Sequence, residues 1–223
     1  MLMRYGYLVI LMGLAVTPAS AGLLDAGSYD ASKFLPPPPG EAVTQAELAE
    51  LRGIAAASSA ELKAFAARDA KDETPDIFNG VLGFDIATTP QTRKLLQLVA
   101  EEEEGDSKNA KAFFHRVRPY VMDTTLPTCE PKKPGKPANS YPSGHATLAF
   151  SMGVVLAQVL PAKAQPILAR SKEYAENRLV CGVHYRSDIV AGQQFGTVLA
   201  LRLMENAAFK SQMDLAMAEL ANH

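Results

Sequence analysis

The sequence predicts an all-α, single-domain protein, and three observations carry that expectation. Apolar residues recur at helical spacing through most of the chain, and no stretch convincingly alternates apolar and polar residues with period two. The composition, 48% hydrophobic and 21% charged over 223 residues, is that of an ordinary globular chain long enough for one substantial core. No internal repeat is visible.

In chain order, residues 1–21 read as a secretory signal peptide. Arg4 precedes an almost wholly apolar run, Gly6–Val16, and Thr17-Pro18-Ala19-Ser20-Ala21 ends in an Ala-x-Ala cleavage signal. An uncleaved anchor is the alternative, but the apolar stretch is short against the ~20 residues of a membrane span. Residues 22–43 form an expected extended arm, because Pro36-Pro37-Pro38-Pro39 favours polyproline II laid on the surface. The all-α domain then occupies 44–223. Thr44-Gln45-Ala46-Glu47 matches a capping box opening a helical region to about Asp69. A short helix over Ile77–Asp85 and helices over Gln91–Glu104 and Ser107–Val117 follow, the last stopped by Pro119. Met122–Ser140 is a Pro/Lys-rich loop containing Lys132, Lys133 and Lys136, and helices over Ser143–Leu160, Ala162–Cys181 and Ser187–Met213 complete the chain.

Charge and cysteine content narrow the function classes. Lys and Arg number 22 and Asp and Glu 24, a net charge of −2, and loss of Arg4 with the leader makes it −3. A mildly acidic chain offers no global electrostatic case for nucleic acid or an anionic membrane. No segment of the mature chain combines ~20 apolar residues with freedom from polar groups, so no membrane span is expected. Export places Cys129 and Cys181, the two cysteines, in an oxidising compartment where one disulfide is expected, although two buried free thiols remain the alternative. Closing that ~52-residue separation stabilises a fold by roughly 4 kcal/mol in the chain-entropy model.

Three clusters carry chemistry. In Lys111-Ala-Phe-Phe-His-Arg-Val-Arg118-Pro119, Lys111 and Arg118 are seven apart, so a helix would put both on one face with His115 between them. A solvated face is the commoner fate of such a stripe, and His115 reads as a structural histidine before a group behind the site or one facing substrate. In Pro142-Ser143-Gly144-His145, a helix begins at a small, flexible pair. Such a start presents unpaired N–H groups and partial positive charge, suited to a phosphate-like oxyanion, with Ser143 as either an added donor or an ordinary cap. In Asn177-Arg178 through Asp188, His184 and Asp188 are four apart. A carboxylate on one imidazole nitrogen fixes the tautomer and frees the other nitrogen's lone pair; a purely structural pair is the alternative. Arg186 is assigned to the surface.

Two other chemistries fit less well. A metal centre would have only His145, His184 and Asp188 as obvious donors, and Lys111, Arg118 and Arg178 would repel a divalent cation. No metal or other cofactor is therefore expected. A Ser–His–Asp hydrolase lacks the Gly-x-Ser-x-Gly elbow around Ser143, and three cations exceed what one oxyanion needs. The excess of cations points to phosphoryl chemistry.

Taken together, Lys111-(six)-Arg118-Pro119, Pro142-Ser143-Gly144-His145 and Arg178-(five)-His184-(three)-Asp188 resemble the three-part signature of the type 2 phosphatidic acid phosphatase and vanadium haloperoxidase superfamily. Within it the chain is similar to the bacterial class A non-specific acid phosphatases, through the exported N-terminus, the Leu35-to-Pro39 run, the Glu/Gly/Asp segment before Lys111 and the two cysteines. The resemblance implies the superfamily's compact helical bundle and a periplasmic, metal-independent phosphatase acting on many small phosphomonoesters as a homo-oligomer, a dimer in the first instance. It implies His184 as the nucleophile forming a phosphohistidine, Asp188 as its orienting carboxylate and His145 as the proton donor to the leaving group. Lys111, Arg118, Arg178, Ser143 and the Gly144 N–H would hold the phosphoryl oxygens. Asn177 departs from the Ser common before that Arg in the family; its amide also donates, which implies retuned rather than lost activity.

Alternatives from the same fold are a phosphohydrolase preferring nucleoside di- and triphosphates or lipid phosphates, and a vanadium-dependent haloperoxidase, typically a much longer chain. A non-enzymatic phosphate-binding protein is the alternative from a different class.

Overall fold

The structure, a computed structural model, describes residues 23, 24, 29–131 and 139–221. The expected signal peptide and Lys132, Lys133 and Lys136 of the loop lie outside the described residues. Among the described residues there are ten α-helices and no strand: α1 (Ala31–Phe34), α2 (Glu41–Ala57), α3 (Ala60–Asp69), α4 (Asn79–Leu82), α5 (Pro90–Phe114), α6 (Pro119–Met122), α7 (Gly144–Val159), α8 (Ala164–Val180), α9 (Arg186–Glu205) and α10 (Ala207–Leu220). Short 3-10 turns at Pro75–Phe78, Ile86–Thr88 and Pro161–Lys163 join some of them.

The centre of the bundle is α7, and its sequence says why. Ala146 to Gly153 are all buried, followed by Val155, Leu156 and Val159, so this helix is covered on every side. Helices α5, α8 and α9 pack around it, and α10 closes against α5 and α9. Leu95, Leu96 and Val99 of α5 join Leu148, Met152 and Leu156 of α7 and Phe195, Leu199 and Leu203 of α9 in one continuous core. Each such side chain contributes roughly 1.5–3 kcal/mol by leaving water. The closest approach is between α7 and α9. A Cβ on Gly192 would stand 2.6 Å from Ser143 O and 2.8 Å from Ala146 Cβ, and one on Gly196 would overlap Thr147 O. Glycine at both positions lets the starts of α7 and α9 lie against each other, which brings two of the three chemical clusters together.

Several element boundaries differ from expectation, each for a local reason. The helix assigned to a capping box at Thr44 begins earlier, at Glu41, with Gly40 as its cap. Glu47, expected to cap that helix, instead turns to Arg116 and Ser187. The helical region to Asp69 is broken by Ser58 and Ser59, where Ser59 Oγ accepts from Leu62 N and starts α3. The two helices expected across 91–117 are one, α5; Gly105 and Asp106 do not interrupt it, and it ends at Phe114, before Pro119. The helix expected to run to Met213 divides at Asn206, whose side chain accepts from Ala208 N and Phe209 N and caps α10.

The arm ahead of α2 is a strap rather than a surface appendage. Tyr29 and Leu35 are buried, the Tyr29 ring stacks on Phe195 at 4.4 Å and its hydroxyl donates to Phe195 O. Tyr141, just before the α7 start, donates its hydroxyl to Pro36 O at 2.8 Å. Cys129 and Cys181 form a disulfide that pins the loop after α6 to the end of α8. No helix among the described residues is long and apolar enough to cross a membrane.

Candidate active site

The start of α9 builds the first half of the site. Asp188 lies in its first turn, where its Oδ2 accepts the Tyr185 N–H at 2.9 Å, so the three-residue spacing after His184 is also a capping geometry. The same oxygen accepts the Ser140 hydroxyl at 2.5 Å and lies 3.2 Å from His184 Nδ1. On the other side of the ring, His184 Nε2 is 3.0 Å from Arg118 Nη1. A guanidinium only donates, so Nε2 carries the lone pair and the proton sits on Nδ1, facing Asp188. His184 and Asp188 are both buried. Burial pushes the Asp188 carboxyl up to about 6, against the pull of Arg116 and its hydrogen bonds, and the group stays ionised at neutral pH. Burial, with Arg118, Arg178 and Lys111 nearby, holds the His184 imidazole well below its ordinary range and therefore neutral.

The start of α7 builds the second half. Ser143 caps the helix, its Oγ accepting from Ala146 N at 3.4 Å, while its own N–H donates to Asp188 O at 3.0 Å. One backbone hydrogen bond thus ties the two helix starts together. Glycine at 144 leaves room for a side chain: a Cβ there would stand 2.7 Å from Lys111 Nζ, which would have to shift. Lys111 therefore lies against the α7 N-terminus, with Ser107 Oγ and Glu103 beside it. His145 stacks on Tyr174 with ring centres 5.5 Å apart; its Nδ1 is 3.1 Å from Glu73 Oε1 and its Nε2 3.4 Å from Ala70 O. Burial, Arg178, Lys111 and Arg118 hold this imidazole well below its ordinary range, although the Ala70 carbonyl pulls the other way.

Arg178, near the end of α8, supplies the third cation. It is almost fully buried and one nitrogen, Nη2, donates to Glu130 Oε1 at 2.8 Å. Its Nε and Nη1 are buried without a hydrogen-bond partner. Two buried guanidinium donors are thus left to an acceptor from outside the protein, and a place shared with Lys111 and Arg118 favours an anion.

The structure thus gathers Lys111, Arg118, Ser143, Gly144, His145, Arg178, His184 and Asp188, but not by the route expected. Lys111 and Arg118 do not share a helix face, because α5 stops at Phe114 and Arg118 precedes α6. The turn between them is made by His115 in the left-handed region, φ 51°. His115 is exposed there and its imidazole makes no hydrogen bond to any of these side chains, so the stripe that would have placed it behind the site does not exist. Asn177 is buried but also turned away: its Nδ2 donates to Asp69 Oδ2 at 2.7 Å, and Asp69 in turn holds Arg170. It supports α3 against α8 rather than a phosphoryl oxygen. Arg186 is partly exposed and pairs with Glu50 and Glu176, in keeping with a surface role.

Sequence reasoning missed Arg116, Glu47 and Ser140. Arg116 is buried, donates to Asp188 Oδ1 at 2.7 Å, to Ser187 Oγ at 2.6 Å and to Glu47 Oε2 at 2.9 Å, and lies over the Tyr185 ring at 3.9 Å. Its carbonyl accepts the Ser140 N–H at 2.8 Å, so Arg116 also positions the serine that donates to Asp188 Oδ2. The available signal was a second arginine two places before Arg118. Among the described residues, no group of three His, Cys, Asp or Glu is placed to share a metal ion.

Comparison with known proteins places the chain in a family. Residues 97–211 match the PAP2 superfamily. A non-specific acid phosphatase of Salmonella typhi is 33% identical over 86% of this chain and 81% of that protein. An acid phosphatase of Zymomonas mobilis subsp. mobilis is 37% identical over 62% of this chain and 53% of that protein. Among solved structures, a transmembrane PAP2-type phosphatidylglycerolphosphate phosphatase from Bacillus subtilis aligns with a TM-score of 0.56 at 18% identity, covering 78% of this chain and 88% of that one. This last likeness concerns the fold.

Proposed function

Because the chain belongs to the PAP2 superfamily, we propose that it is an exported, metal-independent acid phosphatase that hydrolyses a broad range of phosphomonoesters through a phosphohistidine. The observation that carries this reading is the pair of unpartnered Arg178 donors, buried near a His184 whose lone pair Arg118 meets and whose surroundings Lys111 also makes positive.

In the first step the His184 Nε2 lone pair forms the P–N bond while the bond from phosphorus to the ester oxygen breaks. A proton from His145 goes to that oxygen. Asp188 accepts a hydrogen bond from Nδ1–H, which keeps its proton, and stabilises the positive charge growing on the His184 ring. Arg178, Lys111 and Arg118, with the Ser143 hydroxyl and the Gly144 N–H, hold the three equatorial oxygens. In the second step water attacks phosphorus, the P–N bond breaks, and the water's proton returns to His145. An acidic optimum follows from the depressed His145 imidazole: its acid form is reached only at lower pH or beside a phosphate dianion. The three cations are also the physical reason for expecting no divalent metal.

The Cys129–Cys181 disulfide supports export, since such bonds persist in oxidising compartments such as the periplasm. A homodimer is part of the same proposal, and light scattering of the purified protein checks it. The functional test is a substrate panel in EDTA from pH 4 to 8, with p-nitrophenyl phosphate, alkyl phosphates, ATP and a phospholipid. Hydrolysis of the small monoesters, inhibition by vanadate and covalent labelling by radioactive phosphate are expected, with His184→Ala losing the label. Activity abolished by EDTA and restored by zinc would refute the metal-free site, and a label retained in His184→Ala would reassign the nucleophile.

A further inference from the structure

We infer that Glu73 is the carboxylate partner of His145, a positioning residue that keeps this ring able to carry the proton delivered to the leaving group. The inference rests on the phosphatase reading for its role, and on the following geometry for its substance.

His145 is contacted on both ring nitrogens by one short segment, the turn after α3. Glu73 Oε1 lies 3.1 Å from Nδ1 and Ala70 O lies 3.4 Å from Nε2. The turn is not a loose surface stretch. Asp72 Oδ1 accepts from Thr74 N at 3.1 Å and from the Thr74 hydroxyl at 2.6 Å, closing it locally. Tyr174 donates its hydroxyl to Asp72 O at 2.7 Å while its ring stacks on His145, so one side chain sets both the turn and the imidazole. Glu73 therefore reaches His145 from a built position, although its own side chain is 63% exposed.

The charges around His145 give that contact a purpose. Arg178, Lys111 and Arg118 all face it and oppose its protonation, as does burial; His184 is also near, and Glu103 acts on the same lysine. Glu73 is the carboxylate in contact with the ring. Without it, the imidazolium would face three cations with no carboxylate in contact with its own ring until a phosphate arrived. With it, Nδ1–H is held by Glu73, and Nε2 exchanges the proton with the ester oxygen and later with the attacking water. The long contact to Ala70 O is the one given up. The exposed carboxylate also leaves the proton in exchange with solvent.

The decisive variant is Glu73→Gln, which keeps a hydrogen-bond acceptor and removes the charge; the exposed position makes misfolding no obstacle. The readout is kcat/KM, which reports the step in which the leaving group departs. An alkyl phosphate needs its oxygen protonated and p-nitrophenyl phosphate does not. At neutral pH, Glu73→Gln is expected to lose about tenfold on the alkyl ester and no more than about twofold on the aryl ester. Removing the anion lowers the pH at which His145 holds its proton, so the alkaline limb of the alkyl profile moves to lower pH. Glu73→Asp is expected to recover part of the loss. Equal losses on both esters, or none on either, would overturn the inference. An NMR titration of the imidazoles reads the contact independently of turnover: His145 must titrate at lower pH in Glu73→Gln, and an unchanged titration sinks the inference whatever the protein hydrolyses. Absence of turnover by the native protein would strike the phosphatase reading instead.

Discussion

Both histidines of the site meet a carboxylate at Nδ1, yet the two pairs are built differently. Asp188 is fully buried and accepts from Arg116, Ser140, Tyr185 N and His184 at once. Glu73 is largely exposed and stands on a turn between helices. The difference follows from the tasks proposed for the two rings. A nucleophile must hold one nitrogen on one line of attack, so every freedom of its partner is removed. A proton carrier must be charged in one half of the cycle and neutral in the other, which a rigid, dry carboxylate hinders and a solvent-connected one permits. Rigidity is spent on the atom that forms a bond to phosphorus.

Arg116 is where this contrast breaks most visibly. Truncation to Ala leaves Asp188 and Glu47 buried without their shared cation, a loss of about 3–5 kcal/mol in stability. It also frees Asp188, and displacement of a reacting group by ~1 Å costs about 10²-fold in rate. The expectation is that Arg116→Ala lowers kcat/KM equally on aryl and alkyl esters, because the nucleophile acts on both. Arg116→Lys should fall between, since an ammonium keeps the charge but not the fork that spans Asp188, Ser187 and Glu47. Urea unfolding and kinetics on the two esters check both parts. A loss confined to the alkyl ester would mean that Arg116 serves His145, and the division between the pairs would be wrong.

Gly192 tests the seam between the pairs with a smaller expected effect. Its neighbours are Ser143 O and Ala146 Cβ, on the α7 turn that carries His145, and it follows Asp188 by one helical turn. In Gly192→Ala the added methyl meets backbone, so α9 must shift from α7, at about 1–3 kcal/mol. The hydrogen bond from Ser143 N to Asp188 O stretches, and a loss of order tenfold in kcat/KM is expected on both esters. Thermal unfolding with and without vanadate separates the two effects: the apo form loses stability, and the ligand restores less of it than in the native chain.

How far the sequence showed all this depends on the range of each interaction. The helical architecture was legible because apolar spacing is local, and the chemical residues because their types and intervals are unusual together. The helix join through Gly105 was not, since tertiary burial of Leu95, Val99 and Ala110 along α5 overrides a single weak propensity. Arg116 could not be told from a surface arginine, because what distinguishes it is Glu47, 69 residues away, and Asp188, 72 residues away. Glu73 was hidden for the same reason, 72 positions before a histidine that it meets only once α3 packs on α8. Asn177 was misplaced because its motif neighbour Arg178 faces the site, whereas the adjacent position on α8 points about 100° away, where its amide meets Asp69.

The smallest expected effect concerns His115, the histidine that helical spacing would have put beside Lys111. The chain enters the left-handed region at His115 to end α5, with its N–H donating to Lys111 O at 3.1 Å. Such a position suits glycine, which reaches φ 51° without the steric cost a Cβ brings. His115→Gly should therefore stabilise the fold by about 0.5–1 kcal/mol, although added freedom of the unfolded chain offsets part of that gain. The kinetics on both esters should stay within about twofold, as for other exposed substitutions. A third histidine acting in the site would reverse that pattern, with a clear loss of kcat/KM in a protein at least as stable as the native one. Activity held constant while stability rises would leave proton transfer to His145 and Glu73, and attack to His184 and Asp188.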